Sequence, residues 1–320
     1  MPLVTNGAFP HLKKAQFGIK GTADDTIGIN GMEDRIIAYG GQAVLEGVLM
    51  RGQKALAIAM RAPDGKIVVH TEKISGIYQS VIARIPFARG VILLWDALGL
   101  GMKALTISAN VQTGEEEKLE GPMLYGTLAV SLTFGIGLFF LVPYGVGKFG
   151  QWLGLDVWSG AALEGIFRLL LIIGYMWAVG QMPDIRRVFQ YHGAEHKTIN
   201  AFEAGAELTP ESVARFPLEH PRCGTSFLLT LAVLSIVAFS FLHPLSVFFQ
   251  IVGRILLIPV LAGISLEYIR WMANHLDSAF VRWLIQPNLA LQKLTTREPE
   301  LSMLEVSIRS FNEMMALEKA

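Results

Sequence analysis

The 320 residues hold 27 Lys plus Arg and 27 Asp plus Glu, so the formal net charge is zero and no global electrostatic case for nucleic acid exists. Hydrophobic residues make up 52% and charged residues only 17%, where soluble domains carry about 25% charged, so long uncharged windows and a lipid bilayer as partner are expected. The single cysteine, Cys223, excludes an intrachain disulfide framework.

In chain order, residues 1–34 mix Pro, His, Lys, Asp and Gly without a continuous apolar run, which predicts a disordered tail with no readable targeting signal. Residues 35–120 read as a small β-rich cytoplasmic domain. Its β-prone runs are 36–39, 55–60 and 66–70, and the turn Pro63-Asp64-Gly65 predicts a hairpin, because Pro presets φ and Gly accepts the positive φ that closes it. Residues 40–52 are punctuated by Gly but lack the Gly-Lys-Ser/Thr ending of a phosphate loop, so no nucleotide site is assigned. Glu46 and Arg51 in this stretch are candidates to reach a cytoplasmic site, with an ion pair inside the domain as their plainer role. Asp96 and Lys103 interrupt the apolar stretch 91–109, and a charge at the bilayer centre costs at least about 2.5 kcal/mol. A buried or interfacial helix is therefore expected there, followed by a solvated acidic linker at 115–118.

Four uncharged or nearly uncharged windows follow, near 123–142, 161–180, 225–242 and 245–264, each close to the roughly 20 residues a helix needs to cross a bilayer. The fold class is accordingly membrane α-helical, with about four transmembrane helices in 121–266. Glu164 and Arg168, four apart near one window's end, read as interfacial anchors. Connection 143–160 holds only Lys148 as a base, whereas 181–224 holds Arg186, Arg187, Lys197, Arg215 and Arg222, so the longer connection and both termini face the cytoplasm. That predicts a multi-pass protein of the cell inner membrane, or of the thylakoid membrane in a photosynthetic source. In the cytoplasmic tail 267–320, residues 301–317 place Leu301, Leu304, Ile308, Phe311 and Met315 at mostly helical spacing. An amphipathic C-terminal helix should pack on the membrane surface or on the amino-terminal domain.

The chemistry concentrates in 181–224. His192 and His196 lie four apart, so a helix puts both imidazoles on one face, and Glu195 completes His-x-x-Glu-His, in which two His hold zinc and the carboxylate activates water. His220 and Cys223 on the same predicted side bring the candidate ligands to four. A fully protein-filled tetrahedral shell would be structural, and three ligands plus water catalytic. Without metal, these histidines cap carbonyls or pair with carboxylates, and Cys223 is a small apolar residue. A covalent nucleophile, Ser226 or Cys223 with His220, is a further option. Arg254, near the middle of the fourth window, needs a carboxylate or a polar interior unless it snorkels; Glu267 and Arg270 at the cytoplasmic end either line the same polar mouth or are merely interfacial.

The segments Tyr39 through Gly52, Tyr191-His192-Gly193-Ala194-Glu195-His196-Lys197-Thr198, His220-Pro221-Arg222-Cys223-Gly224-Thr225-Ser226 and Gln292 through Pro299 occur in one order. In these the chain resembles the YqhQ-like family of bacterial and plastid membrane proteins, from about Arg35 to near the end. The resemblance implies a domain of unknown function described as a predicted metal-dependent enzyme. Two functions stand open: a zinc-dependent hydrolase acting at the membrane surface, and a non-enzymatic component. The latter is a transporter using Arg254 and Glu267, or an assembly factor whose protein partner docks on the amino-terminal domain and terminal helix.

Overall fold

The computed structural model describes residues 39–74, 88–113 and 121–320, with backbone only for 88–97 and for Pro122. The expected tail 1–34, the start of the first expected strand and the 115–118 linker lie outside the described residues.

Four strands, β1 (Gly40–Val44), β2 (Gly47–Arg51), β3 (Ala55–Arg61) and β4 (Ile67–Lys73), form an antiparallel meander in that order. The Pro63-Asp64-Gly65 signal is where β3 turns into β4. Gly65 takes φ 84°, Ala62 N–H donates to Lys66 O at 2.9 Å and Lys66 N–H to Asp64 Oδ1 at 3.0 Å. The Gly-punctuated stretch 40–52 is a second hairpin, closed by Leu45 and Glu46, with Glu46 itself at φ 51°. Gly47 follows because a Cβ there would lie 2.3 Å from Ala59 O.

Both faces of the sheet are covered, so β3 shows no polar alternation. Ala55, Ala57 and Ala59, with Val48 and Met50, face one side; Leu56, Ile58 and Met60, with Val44 and Leu49, face the other. Helix α1 (Ala88–Thr113) covers the second face through Ala104 and its neighbours, with Lys103 reaching Glu72 on β4 at 2.5 Å.

The bundle begins with α2 (Gly121–Ile136), which runs through a π turn (Gly137–Leu141) into α3 (Val142–Trp152). Then come α4 (Val157–Val179), α5 (Pro183–Glu203), the single turn α6 (Pro210–Val213), α7 (Gly224–Ser240) and α8 (Val247–Asn274). Short helices α9 (Ala279–Leu284) and α10 (Gln286–Thr295) precede α11 (Leu301–Lys319). Of the two seats expected for the terminal helix, α11 takes the sheet. It lays Met303, Leu304, Val306, Phe311 and Met314 over the alanine face beside α5, and Ser310 Oγ donates to Ala57 O at 2.9 Å. The small alanines let the helix approach, and truncating Phe311 there would cost about 3–5 kcal/mol.

Among the described residues three helical stretches are long and apolar enough to cross a membrane: Met123–Trp152, Val157–Val179 and Val247–Asn274. The third expected window is also an apolar helix, α7, but its 17 residues make it about 25 Å long, shorter than its neighbours. Phe134, Phe248, Phe249 and Leu256 point outward and are exposed, an apolar surface suited to lipid rather than water.

The Glu164–Arg168 pair is not an interfacial anchor. Glu164 is 2% exposed and lies inside the bundle, where Arg254 of α8 grips it with both terminal nitrogens at 2.9 Å. Arg168 pairs with the same carboxylate, and His243, just beyond α7, donates Nε2–H to it at 2.9 Å. Gly147 and Gly160 bring α3 and α4 together around this network: a Cβ on Gly147 would sit 2.9 Å from Gly160 O. Arg254 thus faces a carboxylate instead of snorkelling. Glu267 lies about 20 Å further along the same helix, so the two do not line one polar mouth.

Candidate metal centre

Helix α5 sets the site. It starts at Pro183, whose missing N–H costs nothing in a first turn, and runs unbroken through the His-x-x-Glu-His segment. Gly193, a weak helix former, sits where a Cβ would lie 2.2 Å from Arg297 O. The chain leaving α10 crosses α5 at that point, with Arg297 N–H donating to Phe189 O at 2.9 Å.

The same helix arranges the loop that carries Cys223. Lys197 Nζ donates to Ala214 O at 2.7 Å, His196 Nδ1–H to Leu218 O, and Asn200 Nδ2 to Pro217 O and Glu219 O at 2.9 and 3.1 Å. Gln292 of α10 clamps the next residue, accepting from His220 N–H at 3.0 Å and donating to His220 O at 2.9 Å. Cys223 then caps α7, its Sγ accepting from Thr225 N–H at 3.5 Å.

Three of the four candidate ligands converge. Ligand atoms of His192, His196 and Cys223 lie within 4.8 Å of one another, and His192 Nε2 is 3.3 Å from Cys223 Sγ. A carbonyl only accepts, so His192 donates Nδ1–H to Thr295 O at 2.9 Å and His196 does the same to Leu218 O. Both Nε2 atoms are thereby left with the lone pair when the rings are neutral, the arrangement that outer hydrogen bonds impose on metal-binding histidines. Two imidazole nitrogens and a thiolate suit zinc. Glu195 Oε2 is 3.9 Å from His192 Nε2, and its side chain packs against Gly41 of β1, where an added Cβ would lie 2.9 Å from Glu195 Cγ.

His220 lies beside this group rather than in it. Its ring centroid is 5.7 Å from that of His196, and Nε2 is 3.8 Å from Glu203 Oε2, too long for a hydrogen bond. Glu203 pairs instead with Arg222. His192, not His220, is the imidazole in contact with the thiol, and Ser226 is buried, its hydroxyl receiving Gln292 Nε2 at 3.0 Å. Glu46 pairs with Arg187 of α5 at 2.5 Å and accepts from Tyr191 O–H, so it braces the sheet against α5 one turn from the cluster. Arg51 stands at the other end of β2, opposite Gly40 in the strand register.

Electrostatics follow from burial and mutual contact. Burial opposes the Cys223 thiolate, but His196 and His192 outweigh it and hold the thiol well below its usual value. Burial likewise opposes the charged His192 ring, yet Cys223 and then Glu195 hold it up at about 9. Burial raises the Glu195 carboxyl above the ordinary range. Before any metal binds, these contacts favour a thiolate paired with a charged His192 ring, beside a carboxyl group held above the ordinary carboxylate range. A cavity of about 70 Å³ opens on it, lined by His192, Glu195, His196, His220, Arg222 and Cys223, with Gly40 and Gly41 of β1 and Gly224 of α7.

Sequence reasoning missed Gln292, Thr295 and Leu218, which act through an amide or through carbonyls, and also the Glu203–Arg222 pair. Gln292 and Thr295 fall in the last of the four shared segments, which was the available signal. A family model described as "Protein of unknown function (DUF1385)" matches residues 85–317. The uncharacterized protein YqhQ of Bacillus subtilis (strain 168) is 35% identical over 301 residues, covering 88% of this chain and 93% of that protein. No solved structure matches.

Proposed function

The chain belongs to the DUF1385 family, and we propose that it is a zinc-dependent hydrolase built into a multi-pass membrane bundle, with His192, His196 and Cys223 holding the ion. The observation that carries this reading is the convergence of three ligand atoms within 4.8 Å, two of them on rings oriented by carbonyls from separate segments. Three protein ligands would leave a fourth position for water, and Glu195, with Oε2 3.9 Å from His192 Nε2, is the neighbouring group that would take its proton. When bound, zinc supplies Lewis acidity and acidifies water. Glu195 takes the proton from the attacking water and returns it to the leaving group, while the new bond forms to water oxygen and the bond to the leaving atom breaks. Its raised carboxyl suits both halves of that transfer. The basic residues of 181–224 and of the tail support an orientation with this site at the cytoplasmic face of the cell inner membrane.

The test is metal content with spectroscopy. Purified full-length protein should hold about one equivalent of zinc, and replacement by cobalt should give a thiolate-to-cobalt absorption band that Cys223→Ser abolishes. Glu195→Gln should keep the band and lose hydrolysis. Zinc below about half an equivalent, unchanged by His196→Ala, would sink the proposal. The 3.3 Å contact between Sγ and Nε2 favours a second reading, Cys223 as a covalent nucleophile with His192 as base. In that case the protein is active without metal and iodoacetamide labels Cys223 whether or not zinc is present.

A further inference from the structure

The cavity beside the cluster is small and its walls are polar. At about 70 Å³ it is several times the roughly 10–15 Å³ needed for one water, and far below the 300–1,000 Å³ of pockets for whole organic ligands. It therefore takes a fragment of a substrate, the size of a few waters, with the remainder outside.

One side of the wall carries Glu195 and Cys223, turned to the metal ligands, and the other carries groups that can donate to an anion. His220 is 3% exposed and its Nε2 has no hydrogen-bond partner. Arg222 commits one edge of its guanidinium to Glu203 and leaves Nε buried without a partner. The amino end of α7 begins at Gly224 in the same wall, where an added Cβ would meet open space, so backbone can approach the occupant closely. An anionic, tetrahedral group matches this set better than a neutral ester or amide carbonyl, which offers oxygen acceptors but no charge for a guanidinium and a helix dipole to meet.

We infer that the group bound and cleaved in this cavity is a phosphoryl group, so that the substrate is a phosphate ester oriented by Arg222, His220 and the start of α7. This rests on the metal reading. Water supplies the oxygen that bonds to phosphorus, the ester P–O bond breaks, and the proton Glu195 carries goes to the departing alcohol oxygen, leaving inorganic phosphate and an alcohol.

Cobalt-loaded full-length protein is titrated with inorganic phosphate and, separately, with acetate while the cobalt band is recorded. Phosphate should shift the band at concentrations at least about tenfold lower than acetate, and Arg222→Gln should weaken phosphate about tenfold while leaving cobalt content unchanged. Should that variant fail to fold, Arg222→Lys keeps the charge, loses the fork and should still weaken phosphate several-fold. A normal cobalt band that phosphate does not move, or equal affinity in the variants, overturns the phosphoryl assignment alone. Absence of the cobalt band removes the metal reading and this assignment together.

Discussion

Two buried polar clusters sit at opposite ends of α7, about 25 Å apart along its axis, and they are built on opposite principles. At the Cys223 end, atoms that can each present a lone pair point at one another. At the His243 end, donors surround an acceptor: Arg168, Arg254 and His243 all give hydrogens to Glu164. Converging lone pairs repel and are satisfied by a cation or by sharing a proton, whereas donors around a carboxylate satisfy themselves. The first cluster is suited to take up something from outside, and the second is suited to hold α4 and α8 together.

The sharpest way to break that contrast is to remove the shared acceptor. Glu164→Gln leaves two guanidiniums facing each other in an apolar bundle and should destabilise the protein by about 3–5 kcal/mol in detergent unfolding. A loss under about 1 kcal/mol would mean that the network is solvated and no fastener.

Gly193→Ala sets two effects against each other. The helix gains about 1 kcal/mol in propensity, but the new Cβ meets a backbone oxygen at 2.2 Å. The clash should win by about 1–3 kcal/mol and lower metal content, because the 295–297 backbone that orients His192 must move. Unchanged metal content would show that the Thr295 carbonyl does not set the ring.

The smallest expected effect, taken per pH unit, is on metal affinity. With His192 held at about 9 while metal-free, its proton must leave before Nε2 can bind an ion. Metal affinity should therefore rise about tenfold per pH unit up to about 9 and flatten above it, as read by competition with a chelator. A flat profile below 9 would indicate that the ring does not bind through Nε2.

Much of the fold is legible in local sequence. The Pro63-Asp64-Gly65 hairpin, the apolar helices and the terminal amphipathic helix all follow from turn chemistry and periodicity. The Gly40–Arg51 hairpin was not legible, because its second strand is buried on both faces and its turn uses a non-glycine residue at positive φ. At the site, the spacing of His192 and His196 survives into geometry because α5 is continuous. Gly193 reads as a weakness until the crossing backbone is known. Glu164 reads as an end-of-helix anchor until Arg254, 90 positions later, is found against it. Tertiary pairing of this kind leaves no periodic trace.

The carbonyl of Thr295 gives the cluster a place in the life of the chain. His192 is translated first, Cys223 later, and the carbonyl that fixes the His192 ring later still, so a nascent chain has no complete site until all of its long apolar helices have been made. Metal loading would then be a late event in biosynthesis. Products truncated before α10 would reach the membrane with their apolar helices in place and the cluster unassembled.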